Sequence, residues 1–173
     1  MKKKILWSGA DHTTLMTIFR NLILKTGISE SENLIFAGCE GPCFSMATFF
    51  SFGIRDLNLN IYFVTDADTD RLYKLGHQRH LGMVARKHEA PHEAPVKAGV
   101  IVLMSGLTEI PFDRVLTFVD RALTKGGIII GETVVANLFE EKGWTEKIMF
   151  NYLFEFAMRN PTAYELEGET CEA

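Results

Sequence analysis

Three groups of residues have types and spacings that could do chemistry. Cys39 and Cys43 stand four positions apart in the turn Gly38-Cys39-Glu40-Gly41-Pro42-Cys43. Two such thiols could bind a metal or sense redox state, and a helix N-terminus there would lower the pKa of Cys43 and favour its thiolate. His88 and His92 lie in the repeat HEAPHEAP with Glu89 and Glu93, and His77 and His80 precede them. Imidazole and carboxylate suit zinc or iron. Asp66 and Asp68 end the run NIYFVTDAD, and Ser105 and Glu109 follow the run GVIVLM. An acid at a strand end can accept hydrogen bonds from ribose hydroxyls, and the loop carboxylate Glu109 could act as a base.

Neither metal set is complete on spacing. Structural zinc usually takes two paired clusters with tighter spacing, and the third cysteine, Cys171, is alone in the tail. The two prolines of HEAPHEAP favour an extended loop and deny its histidines a shared helical face. No metal is therefore assigned. Cys39, Cys43, His88 and His92 stand as the candidate ligands, and the thiols are expected to be buried and inert. The histidine loop could also fold over a pocket as a lid.

The elements that must position these residues follow from periodicity. Asp11 is an N-cap for a helix carrying Leu15, Ile18, Phe19, Leu22 and Ile23, which Gly27 closes. Asn33 to Cys39 is apolar on both faces, as a central parallel strand should be. The glycine turn leads into a helix through Met46, Phe49 and Phe50. Asn60 to Thr65 predicts a second strand, Leu72 a short helix, and His80 to Arg86 a third strand. Gly99 onward predicts a fourth strand. Val115, Phe118, Val119, Ala122 and Leu123 predict a helix ended by Gly126-Gly127, and GIIIGET a fifth strand. A helix from Val134 to Lys142 and a last one beyond Thr145 complete the series. Strands alternating with helices predict a doubly wound, Rossmann-like sheet of five parallel strands in the order 3-2-1-4-5, with helices on both faces. In such a sheet ligands bind beyond the carboxyl ends of the strands, where the order reverses, here after strands 1 and 4.

Size and charge narrow the function classes. The 173 residues suit one domain, with an acidic, flexible tail over residues 165–173. The net charge of −4 argues against a general nucleic-acid binder. The opening MKKKILW is too short an apolar run for a signal peptide or membrane span. Three cysteines cannot all pair within one chain, which points to a reducing, cytoplasmic setting. Ile148 to Met158 reads as a helix apolar around nearly its whole circumference. One domain of this size has little room to surround it, so a homodimer through that helix is expected.

Three segments resemble the class I S-adenosylmethionine-dependent methyltransferase fold. LIFAGCEGPC resembles its first strand and glycine loop, and NIYFVTDAD its second strand, whose terminal acid holds the cofactor ribose. Gly99 to Glu132 resembles its fourth strand, helix, paired glycines and fifth strand. The resemblance spans residues 33–132 and implies S-adenosylmethionine as cofactor. Gly38, Cys39, Glu40 and Gly41 would meet its amino-acid portion, Asp66 or else Asp68 its ribose, with Ser105 nearby and Glu109 as candidate base. The sequence departs from the family at Ala37, where an acid is usual, and at Glu40 and Pro42, which interrupt the turn. The chain also resembles an uncharacterised, Rossmann-like archaeal family. Two further readings are a non-catalytic dimer that binds a nucleotide or related metabolite in the same crevice, and a metal- or thiol-based sensor.

Overall fold

In the computed structural model, residues 3–9, 11–88 and 96–156 are described. Asp11 accepts a hydrogen bond from the Thr14 amide at 2.7 Å and starts helix α1 (His12–Lys25), and Gly27, at φ 75°, follows its end. Strand β1 (Asn33–Gly38) runs through Leu34 to Ala37, all buried, into a turn that Gly41 makes possible at φ 75°. Helix α2 (Pro42–Gly53) then begins with a proline, whose missing N–H costs nothing there. Strand β2 (Asn60–Thr65) leads through a turn to a 3₁₀ segment, Thr69–Arg71. Strand β5 (Ala98–Met104), helix α3 (Phe112–Ala122) and strand β6 (Leu123–Thr133) follow further along.

One mixed sheet of seven strands organises the protein. Its order is β4-β3-β2-β1-β5-β6-β7, where β3 is Leu72–Gln78, β4 is Gly82–Lys87 and β7 is Tyr152–Glu155. Strands β2, β1, β5, β6 and β7 are parallel, and β3 is antiparallel to both its neighbours. The adjacent pairs 2-1, 1-4 and 4-5 expected from the sequence are β2-β1, β1-β5 and β5-β6. Side chains alternate between two cores. Phe36, Phe63, Val102 and Ile130 pack with Phe19 of α1 and Phe50 of α2. Ile35, Val64, Ile101 and Leu103 pack on the other face with Phe118 of α3 and with Phe139 of the short helix α4 (Leu138–Glu141). Both faces of the central strands are covered, which is why they read as continuous apolar runs.

Five expectations need correction. The helix expected to include Leu123 and end at Gly126-Gly127 stops at Ala122, and those residues open strand β6. The sheet is neither five-stranded nor purely parallel. Leu72 opens strand β3 instead of lying in a helix. Leu72 and Leu75 have a helical interval but bury on opposite faces of the strand. The helix expected from Val134 is only α4, because Thr133 turns the chain: its hydroxyl donates to the Val135 carbonyl and accepts from the Val135 amide, each at 3.0 Å. The apolar segment assigned to a terminal helix contains β7. There Phe154 enters one core while Leu153 packs on the other. An apolar run with two buried faces satisfies either period. The free edge of β6 decides: Asn151 accepts from the Ile129 amide at 2.8 Å and donates its own amide to the Ile129 carbonyl at 2.9 Å. The predicted third strand appears as β4, outside the inserted β3. The acidic tail and most of HEAPHEAP lie outside the described residues. No helix among the described residues is long and apolar enough to cross a membrane.

Candidate functional site

The carboxyl ends of β2, β1, β5 and β6 are level, with Thr65, Gly38, Met104 and Glu132 in neighbouring positions. The turn after β1 is packed tightly. A Cβ on Gly38 would lie 2.5 Å from the Cβ of Cys43, and a Cβ on Gly106 would lie 2.4 Å from Cys39 Sγ and 2.6 Å from Cys43 Sγ. Glycine is needed at both places for close approach. The two sulfurs are 3.0 Å apart, with Cys39 half-buried and Cys43 buried. Burial, reinforced by the neighbouring Cys39 thiol, pushes the Cys43 thiol up to about 12. This direction is opposite to the thiolate expected from the helix N-terminus, and its first cause is desolvation.

Beside that turn, Asp66 and Ala67 both adopt left-handed backbone, at φ 53° and 54°. Such conformations are uncommon for alanine and are held only where surrounding contacts enforce them. The Asp66 amide donates to the Gly38 carbonyl at 2.8 Å. Its carboxylate is 2.9 Å from Arg71, which also pairs with Glu40. Glu40, Arg71 and Asp66 therefore tie the glycine turn to the loop after β2.

The open space lies on the far side of that loop. A recess of about 340 Å³ is lined by Ala67, Asp68, Thr69 and Asp70 and by one face of α3: Arg114, Thr117, Phe118 and Arg121. Arg114 is 3.2 Å from Asp68 Oδ2, while Asp68 Oδ1 accepts the Asp70 amide at 3.1 Å. Arg121 has no ion pair among the described residues. The recess is lined by two guanidinium groups, two carboxylates and two hydroxyls, together with Phe118. The guanidinium groups suit phosphate or carboxylate, and the acids suit sugar hydroxyls.

The other candidates lie apart. Ser105 donates its amide to the Glu132 carboxyl and accepts from the Thr108 hydroxyl at 2.9 Å. Glu132 is 2% exposed, and burial pushes its carboxyl up to about 7 against the pull of the Ser105 amide. Glu109 is largely exposed, 3.9 Å from Lys142. His88 stacks edge-on against Tyr62, with ring centroids 5.3 Å apart, and His92 lies outside the described residues. Among the described residues no cluster of three or more His, Cys, Asp or Glu could hold a metal ion.

Arg71, Arg114, Thr117, Arg121 and Glu132 were not singled out from the sequence. Positions 114, 117, 118 and 121 do carry a signal: they share a helix face at intervals of three and four. Glu132 is visible as an acid at the end of an otherwise apolar strand.

The profile of the archaeal family "Uncharacterized protein conserved in archaea (DUF2124)" matches residues 12–159. The chain belongs to that family. Uncharacterised protein MJ1183 of Methanocaldococcus jannaschii is 27% identical over 159 residues, covering 90% of this chain and 91% of that protein. An uncharacterised protein of Methanothermobacter thermautotrophicus is 28% identical over 134 residues, covering 75% and 81%. A crystal structure of a protein of unknown function from Methanothermobacter thermautotrophicus matches with a TM-score of 0.74 at 24% identity, over 97% of this chain and 99% of that one. That likeness establishes the shared fold alone. The archaeal half of the resemblance drawn from the sequence thus holds at family level.

Proposed function

We propose that the protein binds a small phosphorylated or carboxylated metabolite, of nucleotide size, in the recess between the loop after β2 and helix α3. The recess volume of about 340 Å³ falls within the range of small-molecule sites. The observation that carries the reading is that Arg114 and Arg121 of α3 line the same recess as Asp68 and Asp70 of the loop after β2. A phosphate would sit against the guanidinium groups and Thr117, while ribose hydroxyls would reach the acids. Asp68 keeps the ribose-binding role expected of it, in this recess instead of the crevice beside β1. Asp66 has no such role in this reading, since it does not line the recess. The proposal is for binding alone.

S-adenosylmethionine in the crevice between β1 and β5 is the second reading. The parallel adjacency of those strands favours it. The sulfur-packed turn and the engaged Asp66 count against it, so no step of methyl transfer is derived. The homodimer was expected through a terminal helix; with that segment a strand packed on both faces, any pairing of two copies would have to use the outer edge of β7.

Calorimetry and thermal shift distinguish these readings. A ligand at a hundred times its dissociation constant should stabilise the fold by about 2.7 kcal/mol. Stabilisation by ATP, AMP or NAD that Arg121→Gln abolishes supports the recess. Stabilisation by S-adenosylmethionine and S-adenosylhomocysteine alone, unaffected by Arg121→Gln, would replace it with the methyltransferase-like reading. Light scattering that shows only monomer at micromolar concentration would dismiss the dimer.

A further inference from the structure

We propose that Cys39 and Cys43 form a reversible dithiol–disulfide pair that reacts with low-molecular-weight disulfides, independently of the recess. Three observations converge on it. The sulfurs already lie 3.0 Å apart with Cys39 Sγ hydrogen-bonded to Cys43 Sγ. A disulfide needs about 2.05 Å, so closure asks for roughly 1 Å of movement. The two thiols differ in access, Cys39 being half-buried and Cys43 buried. The backbone at Gly106 leaves both sulfurs against a surface where any side chain would intrude. The missing side chain at Gly106 is what leaves room for the two sulfurs side by side.

The spacing also argues against a chelate. Two thiolates on one metal ion of zinc size, each bound at about 2.3 Å, are held farther apart than these sulfurs. No third ligand stands beside them among the described residues.

The reaction is an exchange. The Cys39 thiolate attacks one sulfur of R–S–S–R, the S–S bond breaks, and RS⁻ leaves and takes up the proton released by Cys39. Cys43 then loses its proton and attacks Cys39 Sγ in the mixed disulfide, expelling the second RS⁻, which takes up that proton. Two protein thiols are oxidised to one disulfide, and R–S–S–R is reduced to two RSH. The buried Cys43 acts only as the resolving thiol, because its high pKa and poor access keep it from attacking an external disulfide first.

The test uses the full chain carrying Cys171→Ser, so that the tail thiol does not report. The reduced protein is incubated with oxidised glutathione, denatured, alkylated and weighed by mass spectrometry. The expected product lacks two hydrogens, takes up no alkylating agent, and returns to two free thiols with dithiothreitol. Adding Cys43→Ser should stop the reaction at one glutathione adduct on Cys39. Adding Cys39→Ser should slow adduct formation by roughly tenfold or more. Stable adducts on the chain with both cysteines, or two thiols still free after prolonged incubation, would overturn the proposal. An adduct formed as fast at Cys43 as at Cys39 would overturn the assigned order.

Discussion

The turn after β1 and the loop after β2 stand side by side and are used in opposite ways. The first has the glycines expected of a ligand cradle, yet its space is taken by two sulfurs packed on Gly38 and Gly106. The second has no glycine, holds Asp66 and Ala67 in left-handed backbone, and borders the open recess. The difference teaches that glycine marks close approach without saying what approaches. In one turn the visitor is the protein's own side chain. Beside the other loop, charge and volume remain for something from outside.

The comparison breaks most readily at its tight end. Gly106→Val would drive a side chain into both sulfurs, and about 3 kcal/mol of stability should be lost, measured by denaturant unfolding. Combining it with Cys39→Ala and Cys43→Ala should recover a good part of that loss. A cost near zero for the single variant would mean that the turn is looser than its geometry.

A second effect comes from the buried acid behind the same turn. The Glu132 carboxyl, pushed up from 4.5 to about 7, stays protonated in the folded chain where the unfolded chain has released its proton. The folded state therefore binds more protons across that interval, and stability must fall as pH rises through it. The contribution is full below about pH 4.5 and gone above about pH 7, on the order of 3 kcal/mol. Unfolding from pH 4.5 to 8 should show this slope, and Glu132→Gln should flatten it. An unchanged slope in the variant assigns the pH dependence elsewhere.

The open end gives smaller effects on stability and specific ones on binding. Arg121→Gln should weaken an anionic ligand by roughly 2 kcal/mol, the scale of a charge-assisted hydrogen bond, with melting almost unmoved. Equal losses of melting temperature and affinity would make Arg121 structural. The smallest effect belongs to the bridge between the two regions. Arg71→Ala breaks the pairs with Glu40 and Asp66, partly exposed as they are, and should cost less than about 1 kcal/mol, with the cost shrinking in high salt.

Much of the scaffold was legible. The runs at Leu34, Ile61, Val100 and Ile128 are continuous because both faces of those strands are covered, and the parallel pairs β1-β2 and β5-β6 followed from the helices α2 and α3 that join them. Asp11 and Gly27 marked α1 because capping is local chemistry. The site was less legible. Asp68 was found, since strand ends are readable, but Arg114 and Arg121 only acquire meaning when α3 meets the loop after β2. Burial of the Cys39–Cys43 pair was expected from the sequence and Cys43 is buried, but the thiolate expected from the helix N-terminus was weighed apart from that burial, which moves the pKa the other way.

The sequence by itself determined the units β1-α2-β2 and β5-α3-β6, because period, caps and glycine turns act within a few residues. Tertiary structure alone decided β3 and β7, each of which could satisfy another period until a sheet edge was there to pair with. It likewise decided which turn is filled and which is open. Desolvation and steric exclusion depend on residues far apart in the chain, such as Gly106 against Cys39, or Arg114 against Asp68.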